Sequence, residues 1–119
     1  MTTQELADRL LALCRAGQFE QAQRELYAPA AVSIESDMVP DDMRVVRGLE
    51  AILAKGQRFR QSVAQWHQVL VGEPVVAGRH FALRIYMDVS YADGSRAATD
   101  EVAVYTVEDG HIVQEEFFY

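Results

Sequence analysis

The strongest constraint on this chain lies near its end. Two β-rich runs, Arg96–Val107 and Ile112–Tyr119, flank Asp109-Gly110. An Asp-Gly pair between such runs is a strong short-range hairpin signal, because glycine tolerates the positive φ that tight turns need. The hairpin carries Glu101, Glu115 and Glu116 within apolar strands. Strand side chains alternate between faces, so register decides whether these carboxylates meet solvent or a pocket. A three-residue turn, Glu108-Asp109-Gly110 with Gly110 left-handed, pairs Val107 with His111, Glu101 with Phe117 and Ala103 with Glu115. A two-residue turn pairs Glu101 with Phe118 and Ala103 with Glu116 instead. The three-residue form is preferred because it gathers apolar side chains. It sets Glu101, Tyr105, Val107, Val113, Glu115, Phe117 and Tyr119 on one face. Val102, Val104, Glu116 and Phe118 then lie on the other.

The rest of the chain supplies what that hairpin packs against. Thr2-Thr3-Gln4-Glu5 has the form of a capping box, and Leu6, Leu10, Leu13 and Cys14 follow at helical spacing. This helix runs to about Ala16, before Gly17. Gln18–Leu26 repeats the pattern and ends before Tyr27-Ala28-Pro29, since a residue preceding proline avoids the α region. Val32–Glu35 alternates as a short strand, and Asp37–Arg47 reads as a loop. A third helix follows Gly48, with Leu49, Ile52, Leu53, Gly56, Phe59 and Val63 along one stripe. Gly56 suggests the close approach of a neighbouring backbone.

From Gln65 the period becomes two. Gln65–Val76 is a strand interrupted near Gly72-Glu73-Pro74. Arg79–Tyr91 alternates over its whole length, with Leu83, Ile85 and Met87 as core candidates and Tyr86 and Asp88 on the opposite face. Helices first and long strands after give an α+β fold, with three N-terminal helices on one face of a curved antiparallel sheet, as one domain over residues 1–119.

Charge and composition narrow the function. The net charge of −7 opposes nucleic-acid binding, and the eleven Lys and Arg form no basic patch. No apolar run approaches the 18 residues of a membrane span. The N-terminus lacks the pattern of a signal peptide. The single cysteine, Cys14, fits a buried structural thiol in a reducing cytoplasm. No His, Cys or acidic spacing suits a metal, and no glycine-rich loop suits a nucleotide, so no cofactor is expected.

The segment Gly17 to Val32, the helix start at Gly48-Leu49-x-Ala51-Ile52, and above all Asp100 to Tyr119 resemble the NTF2-like superfamily, in its SnoaL-like branch. The similarity covers nearly the whole chain and rests on the order of these segments. It implies a cystatin-like cone with a pocket, frequent homodimers, and no single activity, since ketosteroid isomerase, polyketide cyclases, dehydratases and non-enzymatic binders share the fold. By that comparison Glu35 falls where ketosteroid isomerase keeps its proton-abstracting carboxylate. Leu10 and Ala103 fall where it keeps its oxyanion-hole tyrosine and aspartate. Glu35 also has the opposite parity to Val32 and Ile34, so with those two in the core it enters the pocket only if its strand bends.

These readings make Glu101, Glu115, Glu35 and His67 the candidate catalytic residues, and Tyr105, Phe117, Tyr119 and Phe59 the candidate ligand-binding residues. Glu101 and Glu115, as diagonal neighbours roughly 7–8 Å apart, would shift each other's titration if both face the pocket; at the rim they would remain solvated. His67, beside Trp66, is a general base or a structural residue. His80 and His111 lie at turns. Val102, Val104 and Phe118 form an outer face suited to a homodimer. The functions left open are a binder of an apolar small molecule, a cofactor-independent isomerase, cyclase or lyase with Glu101 or Glu35 as base, and a dimerisation module.

Overall fold

The computed structural model describes all residues, Met1–Tyr119. Its helices are α1 (Thr3–Arg15), α2 (Phe19–Leu26), the single turn α3 (Asp41–Arg44) and α4 (Leu49–Ser62). Its strands are β1 (Tyr27–Ile34), β2 (Val45–Arg47), β3 (Val63–Val71), β4 (Val75–Ala77), β5 (His80–Tyr91), β6 (Arg96–Glu108) and β7 (His111–Phe118). The sheet runs β2-β1-β7-β6-β5-β3, with β4 on β5. Leu6, Leu10, Ala22, Leu26 and Ile52 of the helices join Phe81, Leu83, Ala103 and Ile112 of the sheet in one core. The α+β cone is therefore present, with α1, α2 and α4 on its concave side.

Local chemistry explains the ends of the elements. Thr2 and Glu5 exchange side-chain and backbone hydrogen bonds of 2.9 and 3.1 Å, closing the expected capping box of α1. Tyr27 begins a strand where the sequence suggested only a helix end. Pro29 still leaves its mark, because the β1–β7 ladder breaks between Tyr27 and Val32, where proline offers no N–H. The β1–β7 pair is parallel, whereas an all-antiparallel sheet was expected. Residues 37–47 are not wholly loop: they form α3 and then β2, which pairs with the end of β1. At Gly56 the close neighbour is a side chain rather than a backbone, since a Cβ there would stand 3.0 Å from an Arg60 guanidinium nitrogen.

The hairpin departs from expectation and still arrives at the expected sorting of side chains. Asp109 (φ 49°) and Gly110 (φ 74°) are both left-handed, so the turn has two residues and pairs Glu108 with His111. Val107 pairs with Ile112, but Thr106 pairs with Gln114, which leaves Val113 as an extra residue in β7. That β-bulge restores the parity the shorter turn would have reversed. Tyr105 thus faces Glu115, and Ala103 faces Phe117. The cost of the difference falls on Val113, which is half-buried, while Ile112 is fully buried in its place.

Gly110 is confined twice. Its φ is positive, and an added Cβ would lie 3.1 Å from the Met1 nitrogen and 3.3 Å from the Met1 oxygen. Gly110→Ala is expected to lower stability by about 1–2 kcal/mol from the left-handed backbone alone. Urea denaturation against Gly78→Ala, which has a positive φ and no atom within 4 Å, checks whether the N-terminus adds a further loss.

Candidate functional site

The concave face of the sheet and the stripe of α4 enclose a cavity of about 650 Å³. Its wall is mostly apolar, with Phe59, Met87, Val89, Tyr105 and Phe117 among the lining residues. A polar cluster interrupts it, with Glu35, Lys55, Glu101, Glu115, Tyr27 and Tyr119 all reaching the cavity, and Asp42, Arg58 and Arg60 also border it. Strands β1, β6 and β7, helix α4, the residue after β1 and the C-terminal residue supply the groups of the cluster, so only the closed cone brings them together.

Lys55 is the centre of the cluster. Its Nζ donates to Ser33 Oγ at 2.7 Å and to Glu35 Oε1 at 2.7 Å, and it stands 5.6 Å from the centre of the Phe117 ring. An ammonium has three N–H donors, so two are committed and one has no hydrogen-bonded partner. Tyr119 Oη donates to Glu35 Oε2 at 3.2 Å. Behind this pair, the buried Tyr27 hydroxyl donates to Glu115, and Ser33 is the partner of Glu115 across the β1–β7 ladder. Two hydrogen-bonded sets, Tyr27–Glu115 in the core and Ser33–Lys55–Glu35–Tyr119 toward the rim, therefore lie next to each other at the paired positions Ser33 and Glu115.

The two inward glutamates differ in their surroundings. Glu115 is 2% exposed. Burial pushes its carboxyl upward, and the Tyr27 bond, the Lys55 charge and Ser33 partly oppose that shift. Glu101 is 8% exposed. Its carboxyl is pushed up to about 7, first by burial, then by the negative charges of Glu35 and Glu115, with Lys55 opposing them. No hydrogen bond to a neighbouring side chain holds its ionised form. A carboxyl that titrates near neutrality can both take and return a proton. The pair are not diagonal neighbours. Glu115 lies across from Tyr105, about 13 Å along the sheet from Glu101 at strand spacing, and their coupling runs through the cavity.

The remaining candidates sort as follows. Glu35 enters the cavity without any bend, because Ala31, Ser33 and Glu35 form the inner parity of β1 and Val32 and Ile34 only half-bury on the other side. His67 stays outside: it is exposed on β3 and bonds Ser90 Oγ at 2.7 Å. Tyr105 is buried and stacks on Phe81, with ring centres 4.7 Å apart. Phe59 meets Trp66 and Tyr91 edge-on. Phe117 and Tyr119 line the cavity, although Tyr119 is 43% exposed. Tyr86 and Asp88 face outward, where Asp88 pairs with Arg96 at 2.8 Å. His80 and His111 are exposed. Leu10 and Ala103 are buried in the core, so no polar group occupies either oxyanion-hole position of the resemblance.

Sequence reasoning passed over Lys55, Tyr27 and Ser33. A usable signal existed for Lys55. It falls on the apolar stripe of α4, three residues after Ile52 and four before Phe59, where a charge must find a partner. Ser33 shares the parity of Glu35. Gln23 also borders the cavity, and its Oε1 is buried without a partner.

Comparison with known proteins agrees with this architecture. The SnoaL-like domain model matches residues 1–119. A protein from Mesorhizobium loti, named as a candidate SnoaL-like polyketide cyclase, is 36% identical over the full length of both chains with a TM-score of 0.91. The chain therefore belongs to the SnoaL-like family, whose members include ligand-binding proteins, isomerases and cyclases. Two further structures share the fold at lower identity. A candidate SnoaL-like polyketide cyclase from a Jannaschia species is 18% identical, with a TM-score of 0.77 over 98% of this chain and 83% of that one. A protein with a ketosteroid isomerase-like fold from Catenulispora acidiphila, solved with trimethylamine, is 17% identical, with a TM-score of 0.73 over 99% and 88%. No curated protein matches the chain. No helix is long and apolar enough to cross a membrane, and no group of three or more His, Cys, Asp or Glu residues is placed to hold a metal ion.

The Glu101 shift has a definite sign in stability. The folded chain holds this proton up to about pH 7, against an ordinary value of 4.5. Between those limits the folded state binds more protons than the unfolded one, so stability falls as pH rises through that window. Glu101→Gln removes this loss. The variant is expected to match the wild type near pH 4 and to exceed it at pH 8 by up to about 3 kcal/mol, read from urea denaturation at both values. Equal differences at the two pH values would show that Glu101 titrates normally.

Proposed function

We propose that this protein binds a neutral, mainly apolar small molecule inside the cone and exchanges a proton with it at Glu101. The observation that carries the reading is a carboxyl on the cavity wall, titrating near 7, with no hydrogen-bonded partner. The apolar lining suits the body of such a ligand, and the few polar groups suit its orientation. Glu35 is the weaker base, because Lys55 and Tyr119 already satisfy both of its oxygens.

Charge favours a neutral ligand over an anion. The cluster's one ammonium is already paired with Glu35, and a negative charge on the ligand would oppose the ionisation that Glu101 needs to act as a base. A neutral carbonyl compound avoids this. When its α C–H bond breaks, the proton passes to a Glu101 oxygen and the electron pair delocalises onto the carbonyl oxygen. The total charge of the site is unchanged. Lys55, with its third N–H donor, is the group suited to that developing oxyanion, in place of the polar residues that Leu10 and Ala103 do not provide. This amounts to cofactor-independent isomerase, cyclase or lyase chemistry.

The test uses 2-tetralone, a neutral bicyclic ketone, in deuterated buffer. Binding is expected to change the fluorescence of the single tryptophan, Trp66, which lines the cavity. NMR is expected to show deuterium entering the position beside the carbonyl, at a rate that Glu101→Gln lowers by about 10²–10⁴-fold. Binding without exchange would leave a binding protein and remove the catalytic part. Absence of binding by this and related apolar ketones would defeat the whole reading.

The outer sheet face supports a second copy of the chain as partner. Val102 (45% exposed) pairs with Phe118 (51% exposed), beside half-buried Val104, and the Arg84–Asp100 and Arg96–Asp88 ion pairs lie across the same face of β5 and β6. We infer a homodimer through this face. Phe118→Glu is expected to halve the mass seen by sedimentation equilibrium with no change in the circular dichroism spectrum. An unchanged mass would place any association elsewhere.

A further inference from the structure

A second cavity, of about 570 Å³, lies between the end of α1, the start of α2 and strand β3. It shares four wall residues with the cone cavity: Cys14, Phe19, Arg60 and Trp66. Those four side chains border both spaces, which are of similar size, and two of them are only partly buried aromatics. Trp66 is 41% exposed, an unusual state for an indole, and its one aromatic contact is the edge of Phe59. Phe19 is half-buried and opens α2, whose N-cap Gln18 makes no capping hydrogen bond.

We propose that the two cavities form one binding site with a side portal at Phe19 and Trp66, and that its ligand is elongated, with a neutral polar head in the cone and an apolar tail lying along β3. This deepens the small-molecule reading above and rests on it. The outer cavity has the lining such a tail requires. Val69, Leu70 and Val71 form its strand wall, and Phe19 and Trp66 its inner end. From Trp66 to Val71 the strand extends about 16 Å at standard spacing.

The cations bordering the outer cavity are already engaged, which argues for a tail without charge. Arg15 donates to the Val71 carbonyl at 3.0 and 2.8 Å and to Glu73 at 3.0 Å. The Arg60 guanidinium lies 3.6 Å from Glu20, which also accepts from Gln57 at 2.6 Å. The Cys14 thiol on the shared wall is pushed up to about 12, by burial first and by the Glu115 charge next. It is therefore a protonated, unreactive part of the wall.

The experiment measures affinity for straight-chain methyl ketones from 2-hexanone to 2-tetradecanone by Trp66 fluorescence. It compares the wild type with Val69→Asn, a change at a half-buried residue that shares the inner parity of Val71 and lines only the outer cavity. Each methylene entering an apolar site is worth about 0.8 kcal/mol, or roughly fourfold in affinity. The portal predicts that affinity rises through the longest ketones in the wild type. In Val69→Asn the short ketones bind as before and the long ones lose at least tenfold. An affinity that peaks at middle length and then falls, alike in both proteins, would overturn the portal and leave a closed cone cavity. A steady rise that Val69→Asn does not alter would overturn it too, because the tail would then leave by the open mouth of the cone. If no ketone of any length binds, the small-molecule reading fails, and the portal with it.

Discussion

One extra residue in β7 governs the interior of this protein. The Asp109-Gly110 turn alone would send Glu115 and Phe117 to the convex face, away from Glu101 and Tyr105. The bulge at Val113 shifts the parity by one and turns both of them inward. The Tyr27–Glu115 hydrogen bond, the approach of Phe117 to Lys55 and the shared electrostatics of the two inward glutamates all follow from that shift. Outward-facing Val102 and Phe118 follow from it equally. The site and the outer apolar patch are two results of one local irregularity.

Within the cone, burial and pairing divide the acidic groups. Glu35 is given a cation and a tyrosine hydroxyl. Glu115 is given a hydroxyl and a deep position, where a neutral carboxyl is favoured. Glu101 is given charge and low dielectric but no partner. The same residue type thus occupies three different electrostatic states within one cavity. The group left without a partner is the one to which we assign proton exchange with a bound molecule. Family membership is consistent with this and does not select among binding, isomerisation and cyclisation, since chemistry on this fold resides in the lining of each cavity.

Much of the fold was legible in the chain. The capping box of α1, the apolar stripe of α4 and the alternation of β5 and β6 are short-range patterns, and each formed close to its expected bounds. So was the inward parity of Glu101, Tyr105, Glu115 and Phe117, although the turn behind it was misjudged. A bulge leaves little local trace, because Val113 is as suitable for a strand as its neighbours. Its position depends on what fits against β1 and the helices. Residues 37–47 were read as loop for a similar reason: β2 exists only because the end of β1 offers it a ladder.

The linear order of residues determined the elements, the hairpin and the presence of carboxylates in an apolar setting, because these depend on neighbours within a few positions. Tertiary structure alone decided that Lys55 of α4 would meet Glu35 beyond β1 and Tyr119 at the chain end. It also decided that His67 would face away and that Glu101 would be left unpaired. Those outcomes depend on groups 20 to 84 residues apart reaching hydrogen-bonding distance, and a pattern of period two or 3.6 carries no information about which distant side chain a buried charge will meet.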